Sequence, residues 1–413
     1  MRRTPGGEWV VLGGGLVLAG IGWGLHLTLL ALAGTLTAAS AAALLLWQHQ
    51  CLAGVTYRRT LSQRRATFGE EVALDVEFVN DKLLPLTWLQ VEDSVPTALT
   101  IRGGTVTSSG AGGHRQLHHL LPMLPFQRVR RHLTVVCDRR GEHRFGPATL
   151  VSGDPVGLRQ QTHRVADEVQ LLVYPKLFRL VLPPVASRLS WGDQRAGPDV
   201  AEDPSRVAGV RPYRPGDPLR HVDWRATARR TSLLVREFEP TATWRVAVFA
   251  DVRVPGQART AGGLDATEFL IAVTASVIAE LARRGVATGL YSSGTVRGNP
   301  IGKEPSASPE ALRTMLEALA LMSPYGRTSI AELLLRETAR LRAGASLVIV
   351  ATDFSGPTLA ALTNLRRRWA VTALWVSTTA GRGRPPGSDA ANVVREVKYH
   401  DDWQTDDILQ FSP

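Results

Sequence analysis

Between Arg211 and Glu239 the chain sets seven arginines (211, 214, 220, 225, 229, 230 and 236) against four carboxylates, Asp217, Asp223, Glu237 and Glu239. A guanidinium is a planar fork of donors that meets a carboxylate through two parallel hydrogen bonds. Such a mixture does one of two compatible things. It interlocks as a partly buried network that holds a loop in place, or it presents arginines to an acidic partner. Tyr213 and Trp224 add aromatic surface, and Pro215-Gly216 is a turn signal. Asp217 sits where a helix N-cap belongs, with Pro218 at the first helical position. Leu219 and Val222 give that short helix an apolar side, with Arg220 and His221 facing elsewhere. Asp223 caps a second turn carrying Trp224, Ala226 and Ala228, and Leu233 to Val235 lead out as a strand.

A second set of polar residues follows buried runs. Asp251 closes the run Trp244 to Ala250, Asp353 follows Leu347 to Ala351, and Thr328 lies in a loop before a helix. Open α/β sheets bind ligands at the carboxyl ends of their strands, so Asp251 and Asp353 are candidates for one pocket. Other catalytic patterns are absent. There is no G-x-x-x-x-G-K-[ST], no H-E-x-x-H and no G-x-S-x-G. Gly13 to Gly15 lie in an apolar stretch, where close helix packing explains them. His118-His119 has no helical metal partner and reads as a surface pair.

The elements that position these residues begin with Trp9 to Trp47, 39 residues without Asp, Glu, Lys or Arg. One straight helix of that length measures about 58 Å, against a hydrocarbon core of roughly 30 Å. Two spans joined near Gly22 to His26 fit better. Arg2 and Arg3 precede them, Arg58, Arg59, Arg64 and Arg65 follow, and the join has no Lys or Arg. The positive-inside rule puts both ends of such a hairpin in the cytoplasm. A cleaved signal peptide is the competing reading, and the apolar run is too long for it.

From Val55 to Tyr174 short alternating runs read as a β-sandwich: Val72–Val79, Leu86–Val91, Leu117–Leu121, Arg131–Val136 and Ala148–Val151. Gly103 to Gly113 reads as a hairpin tip. Residues 176–210 are loop-like, with Pro183-Pro184, Gly197-Pro198 and Pro204. Beyond residue 244, strand and helix alternate. Asp265 with Glu268 reads as the cap of a helix to Arg284, and further helices run from Pro309 to about Met322, Ser329 to Arg342 and Pro357 to Trp369. Strands follow at Val286–Ser292, Leu347–Ala351, Ala370–Ser377 and Val393–Tyr399. That order predicts a parallel sheet with helices on both faces. The expected organisation is a transmembrane helical hairpin (1–54), a β-sandwich (55–175), a linker with the arginine-rich stretch (176–243) and an α/β domain (244–413), multi-domain α+β as a whole.

Composition narrows the partners. Net charge is +11, but the 48 basic residues include only four Lys. With abundant Ala, Gly and Pro, that skew reads as genome base composition. No basic cluster is interleaved with aromatics as a stacking platform would be, so no nucleic acid partner is expected. Cys51 and Cys137 have no metal-type spacing and form no disulfide framework.

The run Arg211-x-Tyr213-x-Pro215-Gly216-Asp217-x-x-Arg220-x-x-Asp223-Trp224-Arg225-Ala226-x-Ala228-Arg229, continuing to Val235-Arg236-Glu237-Phe238-Glu239, resembles the signature of the bacterial domain of unknown function 58. Arg140-Gly-Glu-His-Arg-Phe-Gly-Pro147 and Asp154-Pro-Val-Gly-Leu158 extend the resemblance upstream, although as residues they read as a β-turn and a sheet edge. Proteins of that family are typically membrane-anchored and linked with MoxR-type AAA+ ATPases. Their C-terminal half is commonly related to the doubly wound von Willebrand factor A fold. There an Asp-x-Ser-x-Ser loop, a Thr and an Asp converge on a divalent cation. The resemblance places Asp251, Thr328 and Asp353 in those roles, but Arg253 and Pro255 stand where the two hydroxyls belong. A hard cation wants oxygen ligands, so the site is degenerate, and no cofactor or Mg²⁺ is expected. The chain also lacks an ATP site of its own. The resulting expectation is a cytoplasm-facing membrane adaptor, not an enzyme, that works with such an ATPase on an unnamed client complex. A hydrolase or metal-dependent ligand-binding protein using the Asp251/Asp353 pocket is the alternative.

Overall fold

The computed structural model describes residues 7–108, 113–155, 160–180, 202–215, 217–230, 232–240, 244–253, 261–326, 328–342, 344–354, 356–377, 394–400 and 402–409. The chain divides into two compact units, residues 1–174 and 175–413.

The first unit opens with α1 (Gly7–Gly24) and α2 (Thr28–Gln50). They lie antiparallel, with Gly15 against Ala38, Gly34 against Ala19 and Gly22 against Ala31. A Cβ on Gly34 would come within 2.2 Å of the Ala19 nitrogen. Only glycine lets the two backbones approach this closely. The chain turns at Leu25–Leu27, where His26 takes φ +54°. Among the described residues one helix, α2, is long and apolar enough to cross a membrane; the apolar part of α1, Trp9–Gly24, is shorter.

The strands β1 (Val55–Leu61), β2 (Arg65–Ala66), β3 (Glu71–Asn80), β4 (Leu86–Pro96), β5 (Thr100–Arg102), β6 (Thr105–Ser108), β7 (His114–Met123), β8 (Arg128–Val136), β9 (Gly141–Phe145), β10 (Ala148–Gly153), β11 (Gln160–Val165) and β12 (Val169–Val173) follow. They form sheets of order β1-β3-β8-β5, β11-β10-β4-β7-β6 and β2-β12-β9. One apolar core serves all three. Val72, Leu74, Val76 and Phe78 reach it from β3, and Leu89 and Val91 from β4. The stretch expected as a hairpin tip, which begins just after β5, holds β6, and residues 109–112 lie outside the described residues.

Two polar groups enter this core. Arg59 and Asp93 form a buried ion pair, Tyr57 donates to Asp93 at 2.6 Å, and Arg59 also donates to the Asp167 carbonyl at 2.6 Å. Gly146 makes room for it: a Cβ there would lie 2.7 Å from an Arg59 nitrogen. His119, expected at the surface, is instead 1 % exposed. It meets Phe78 edge-on at 5.3 Å, and burial, with the nearby Arg131 and His118 charges, pushes its pKa down to about 4. The period-two pattern Leu117, His119, Leu121, Met123 carries it to the inner face. Cys51 and Cys137 are free and buried.

The second unit contains β13 (Arg179–Leu180), β14 (Glu202–Pro212), α3 (Trp224–Thr227), β15 (Leu234–Pro240), β16 (Arg245–Asp251), α4 (Ala261–Arg283), β17 (Ala287–Val296), β18 (Asn299–Ser306), α5 (Pro309–Leu321), α6 (Ile330–Thr338), β19 (Ser346–Ala351), α7 (Gly356–Arg366), β20 (Ala370–Ser377), β21 (Val394–Lys398) and β22 (Ile408–Leu409). Residues 202–210, expected as loop, are a strand. The main sheet has the order β18-β17-β16-β19-β20-β21. Its neighbours run parallel except β18, which is antiparallel to β17 and was not foreseen. Two prolines and a glycine disguise it, and a sheet edge tolerates them. The inner strands are buried on both faces, which is why they read as continuous apolar runs. Val246, Val248 and Ala250 pack with α4 and α5, while Ala247 and Phe249 pack with α6 and α7. Ser308 and Ser329 cap α5 and α6 by accepting from Ala311 and Glu332 amides at 3.1 Å.

One expected cap does something else. Helix α4 begins at Ala261, four residues before Asp265. The Asp265 carboxylate instead accepts from the Tyr399 hydroxyl at 2.6 Å and the Trp403 indole at 2.9 Å.

Candidate functional site

The arginine-rich stretch is an insert carried on a two-stranded ribbon. β14 and β15 pair antiparallel, with Val210 opposite Arg236, Arg211 opposite Val235 and Pro212 opposite Leu234. Residues 213–233 leave the ribbon and return to it. Tyr213 donates to the Leu233 carbonyl and Asp223 to the Leu234 carbonyl, each at 2.9 Å, and Val222 bridges to Val235. Val222, Leu234 and Val235 are buried beneath the insert.

Each strand of the ribbon supplies one arginine to one carboxylate of the insert. Arg211, on β14, meets Asp217 through both terminal nitrogens, at 2.6 and 2.8 Å. Arg236, on β15, donates to Asp223 at 3.0 Å. The two arginines occupy adjacent cross-strand pairs, so they project from opposite faces of the ribbon. Asp217 does not cap a helix, as expected from Pro218. It reaches back and accepts from the Arg214 amide at 2.8 Å, closing the turn through Pro215, and Pro218 to His221 make only a single 3₁₀ turn. Asp223 is the expected cap, accepting from the Arg225 and Ala226 amides at 3.0 Å before α3. The Arg211 guanidinium and the Arg214 amide hold the Asp217 carboxyl down at about 2. The Ala226 amide and Arg236 lower Asp223 likewise.

What remains of the insert faces solvent. Arg214, Arg220, Arg225, Arg229 and Arg230 are exposed, and none has a carboxylate partner among the described residues. Leu219 and Trp224 stand out beside them, each 66 % exposed. Leu219 was expected on the apolar side with Val222, but only Val222 turns inward. Tyr213 is half-buried. Gly216 and the Glu237 and Glu239 side chains lie outside the described residues, although Glu237 pairs in the ribbon opposite Gly209. Such an arrangement is a positively charged, partly aromatic surface on a stapled scaffold.

The second candidate lies at the carboxyl end of the main sheet. Asp251 ends β16, and Asp353 follows β19, two residues past the Asp251↔Ala351 pair. Asp251 accepts from the Ser293 hydroxyl at 2.6 Å and from Arg253 through its Nε at 3.2 Å and its amide at 3.3 Å. Ser293 also accepts from the Val252 amide at 3.1 Å. Ser293 was missed from sequence; it lies 42 residues from Asp251, and no local pattern announces it. The loop carrying Thr328 comes over this end, for a Cβ on Gly326 would sit 1.6 Å from the Ser293 carbonyl oxygen. Thr328 and Asp353 are half-buried, and Pro255 lies outside the described residues. No group of three metal-type side chains forms among the described residues. Asp251 thus faces a guanidinium and a hydroxyl.

Residues 209–385 match the family described as "Protein of unknown function DUF58". The uncharacterized protein YeaD of Bacillus subtilis is 26% identical over 272 residues, which cover 64% of this chain and 61% of YeaD. The chain therefore spans about three fifths of the length of that curated relative. Among solved structures, a CARDB domain from Pyrococcus furiosus matches 29% of this chain and 91% of its own at 9% identity and a TM-score of 0.20. A cohesin module from Clostridium perfringens matches 29% of this chain and 96% of its own at 9% identity and a TM-score of 0.21. Likenesses this weak carry no argument about function.

Proposed function

We propose that this chain is a membrane-anchored interaction protein that docks on the acidic surface of a MoxR-type AAA+ ATPase. Together the two assemble or remodel a protein complex. The observation that supports it is the division of charge in the insert. Its carboxylates Asp217 and Asp223 are consumed by Arg211 and Arg236, leaving Arg214, Arg220, Arg225, Arg229 and Arg230 outward beside Trp224. Arginine and tryptophan are the side chains that most often dominate protein interfaces. In this reading α1 and α2 form the membrane hairpin, both units are cytoplasmic, and the main sheet is a von Willebrand factor A-like module that holds the client. The ATPase supplies the energy that a chain with no phosphate loop cannot. A client, a partner and a membrane suffice, without nucleic acid, cofactor or catalytic residue.

Co-purification with a MoxR-type ATPase of the same organism tests the proposal. Arg214→Ala and Arg225→Ala should each weaken association roughly tenfold while leaving the fold intact. If both variants bind as the parent does, the insert is not the docking surface. If the parent itself retains no ATPase, the partnership fails.

A further inference from the structure

The face of the main sheet that carries α6 and α7 is covered unevenly. A row of cross-strand partners crosses it from Ile349 through Phe249 and Tyr291 to Gly302. Phe249 and Tyr291 stack with centroids 5.0 Å apart. The row ends at Gly302 on the edge strand β18, where no side chain continues it. Between this bare edge and the last turn of α6 lies a cleft of about 830 Å³, a size that suits a small-molecule ligand. Arg245, the first residue of β16, lines it. The cleft is therefore at the amino end of the strand, away from Asp251.

Four guanidiniums and two carboxylates line the cleft. Glu337 is engaged by Arg336 at 2.7 Å and by Arg340 at 3.8 Å. Arg245 and Arg342 have no carboxylate within ion-pair distance among the described residues. Arg245 is half-buried, so part of its hydration is lost without a counter-charge in return. Tyr291 is only 4 % exposed, and its hydroxyl makes no hydrogen bond among the described residues. Burial, then the Glu304 and Glu337 charges, push its pKa up to about 12. At neutral pH it keeps its proton and can donate a hydrogen bond. The Arg245 guanidinium and the Tyr291 hydroxyl therefore stand as donors open to an acceptor that enters the cleft, and a guanidinium matches an oxyanion best.

We propose that this cleft binds a small organic anion through a phosphate or carboxylate group. Arg245 and Arg342 pair with the oxyanion, and the Tyr291 hydroxyl donates a further hydrogen bond. Leu341 and Pro300 offer apolar surface to the rest of the ligand. Glu304, exposed on β18, opposes the anion and moderates its affinity. The site is independent of the arginine insert and of any ATPase.

The test is calorimetric titration of the detergent-solubilised full chain with inorganic phosphate and, separately, succinate, at constant ionic strength. We expect saturable one-site binding of at least one probe in the millimolar range, and the stronger probe identifies the source of the oxyanion. Arg245→Ala should weaken binding about tenfold without lowering the melting temperature, and Arg245→Lys should restore part of it. Tyr291→Phe should weaken binding several-fold, and Glu304→Gln should tighten it. Saturation by neither probe overturns the proposal. So does an Arg245→Ala chain that binds as well as the parent, or displacement by chloride as effectively as by the probes.

Discussion

Arg211 grips Asp217 through both terminal nitrogens, and the same carboxylate accepts the Arg214 amide at 2.8 Å. One acidic side chain thus ties a strand to the turn of the insert it carries. Its carboxyl is depressed from 3.8 to about 2, so the tie is fully present above pH 3.8 and is lost as pH falls through 2. Hydrogen-exchange protection of the Asp217 amide, which donates to the Arg214 carbonyl at 3.0 Å, should persist down to that window and fade within it. Asp217→Ala and Arg211→Ala should abolish the protection at neutral pH. Arg214→Ala should not, because Arg214 bonds Asp217 through its backbone amide and its side chain adds only the smallest of the electrostatic pulls on that carboxylate. Equal loss in all three would show that the exposed arginines are structural as well.

The Arg253–Asp251 pair predicts indifference to metal. Adding Mg²⁺ or Mn²⁺ at millimolar levels should leave the melting temperature unchanged. A ligand at a hundredfold excess over its dissociation constant stabilises by about 2.7 kcal/mol, a shift easily seen. A metal-dependent rise that Asp251→Ala removes would show that the guanidinium yields the place to a cation.

Both candidate sites were partly legible from sequence, and the boundary between what could and could not be read is physical. Asp223 was readable because a cap needs only its own next three residues. Asp217 was read as a cap because Pro218 follows it; the turn from Arg214 to Asp217 instead carries it back to Arg211, six residues earlier, and residues 202–210 do not alternate like the strand that holds Arg211. Asp251 and Asp353 were readable as the ends of fully buried strands, whereas Ser293 belongs to the neighbouring strand and is a partner only through the sheet. Asp265 imitated a cap because its tertiary partners, Tyr399 and Trp403, lie more than a hundred residues on. His119 could have been found: the inner-face period runs through it, and treating the histidines as a pair hid that period.

Within the first unit, the pair Arg59–Asp93 is buried, with both side chains at most 1 % exposed. Asp93→Ala leaves a guanidinium in the core and should destabilise the unit by about 3–5 kcal/mol in chemical denaturation. Tyr57→Phe removes one hydrogen bond to the same carboxylate and should cost about 1–2 kcal/mol. Replacing Arg59 and Asp93 together by apolar residues should recover most of the loss. If Asp93→Ala were nearly neutral, the carboxylate would not be holding Arg59 in place.

The helix pair makes its own prediction. If the proposed hairpin follows the positive-inside rule, reporter fusions at Thr60 and at Pro413 should both read cytoplasmic. An external reading at either position would refute the hairpin. Gly34→Val should separate α1 from α2, because its side chain would enter the Ala19 backbone. Cross-linking between cysteines introduced at Leu18 and Thr35 should then fall.

The second unit is sewn shut by its own ends. β13 pairs with β22, Lys176 donates to the Gln404 carbonyl across 228 residues of chain, and Trp403 and Leu409 sit in the same core cluster as Phe178 and Leu180. Closing so long a loop is slow, and the core around Phe178 lacks part of its packing until residues 403–409 have left the ribosome. Until those residues are made, the inner strands wait with that core incomplete. A chain made only as far as β21 would leave apolar surface around Phe178 uncovered, open to aggregation and proteolysis.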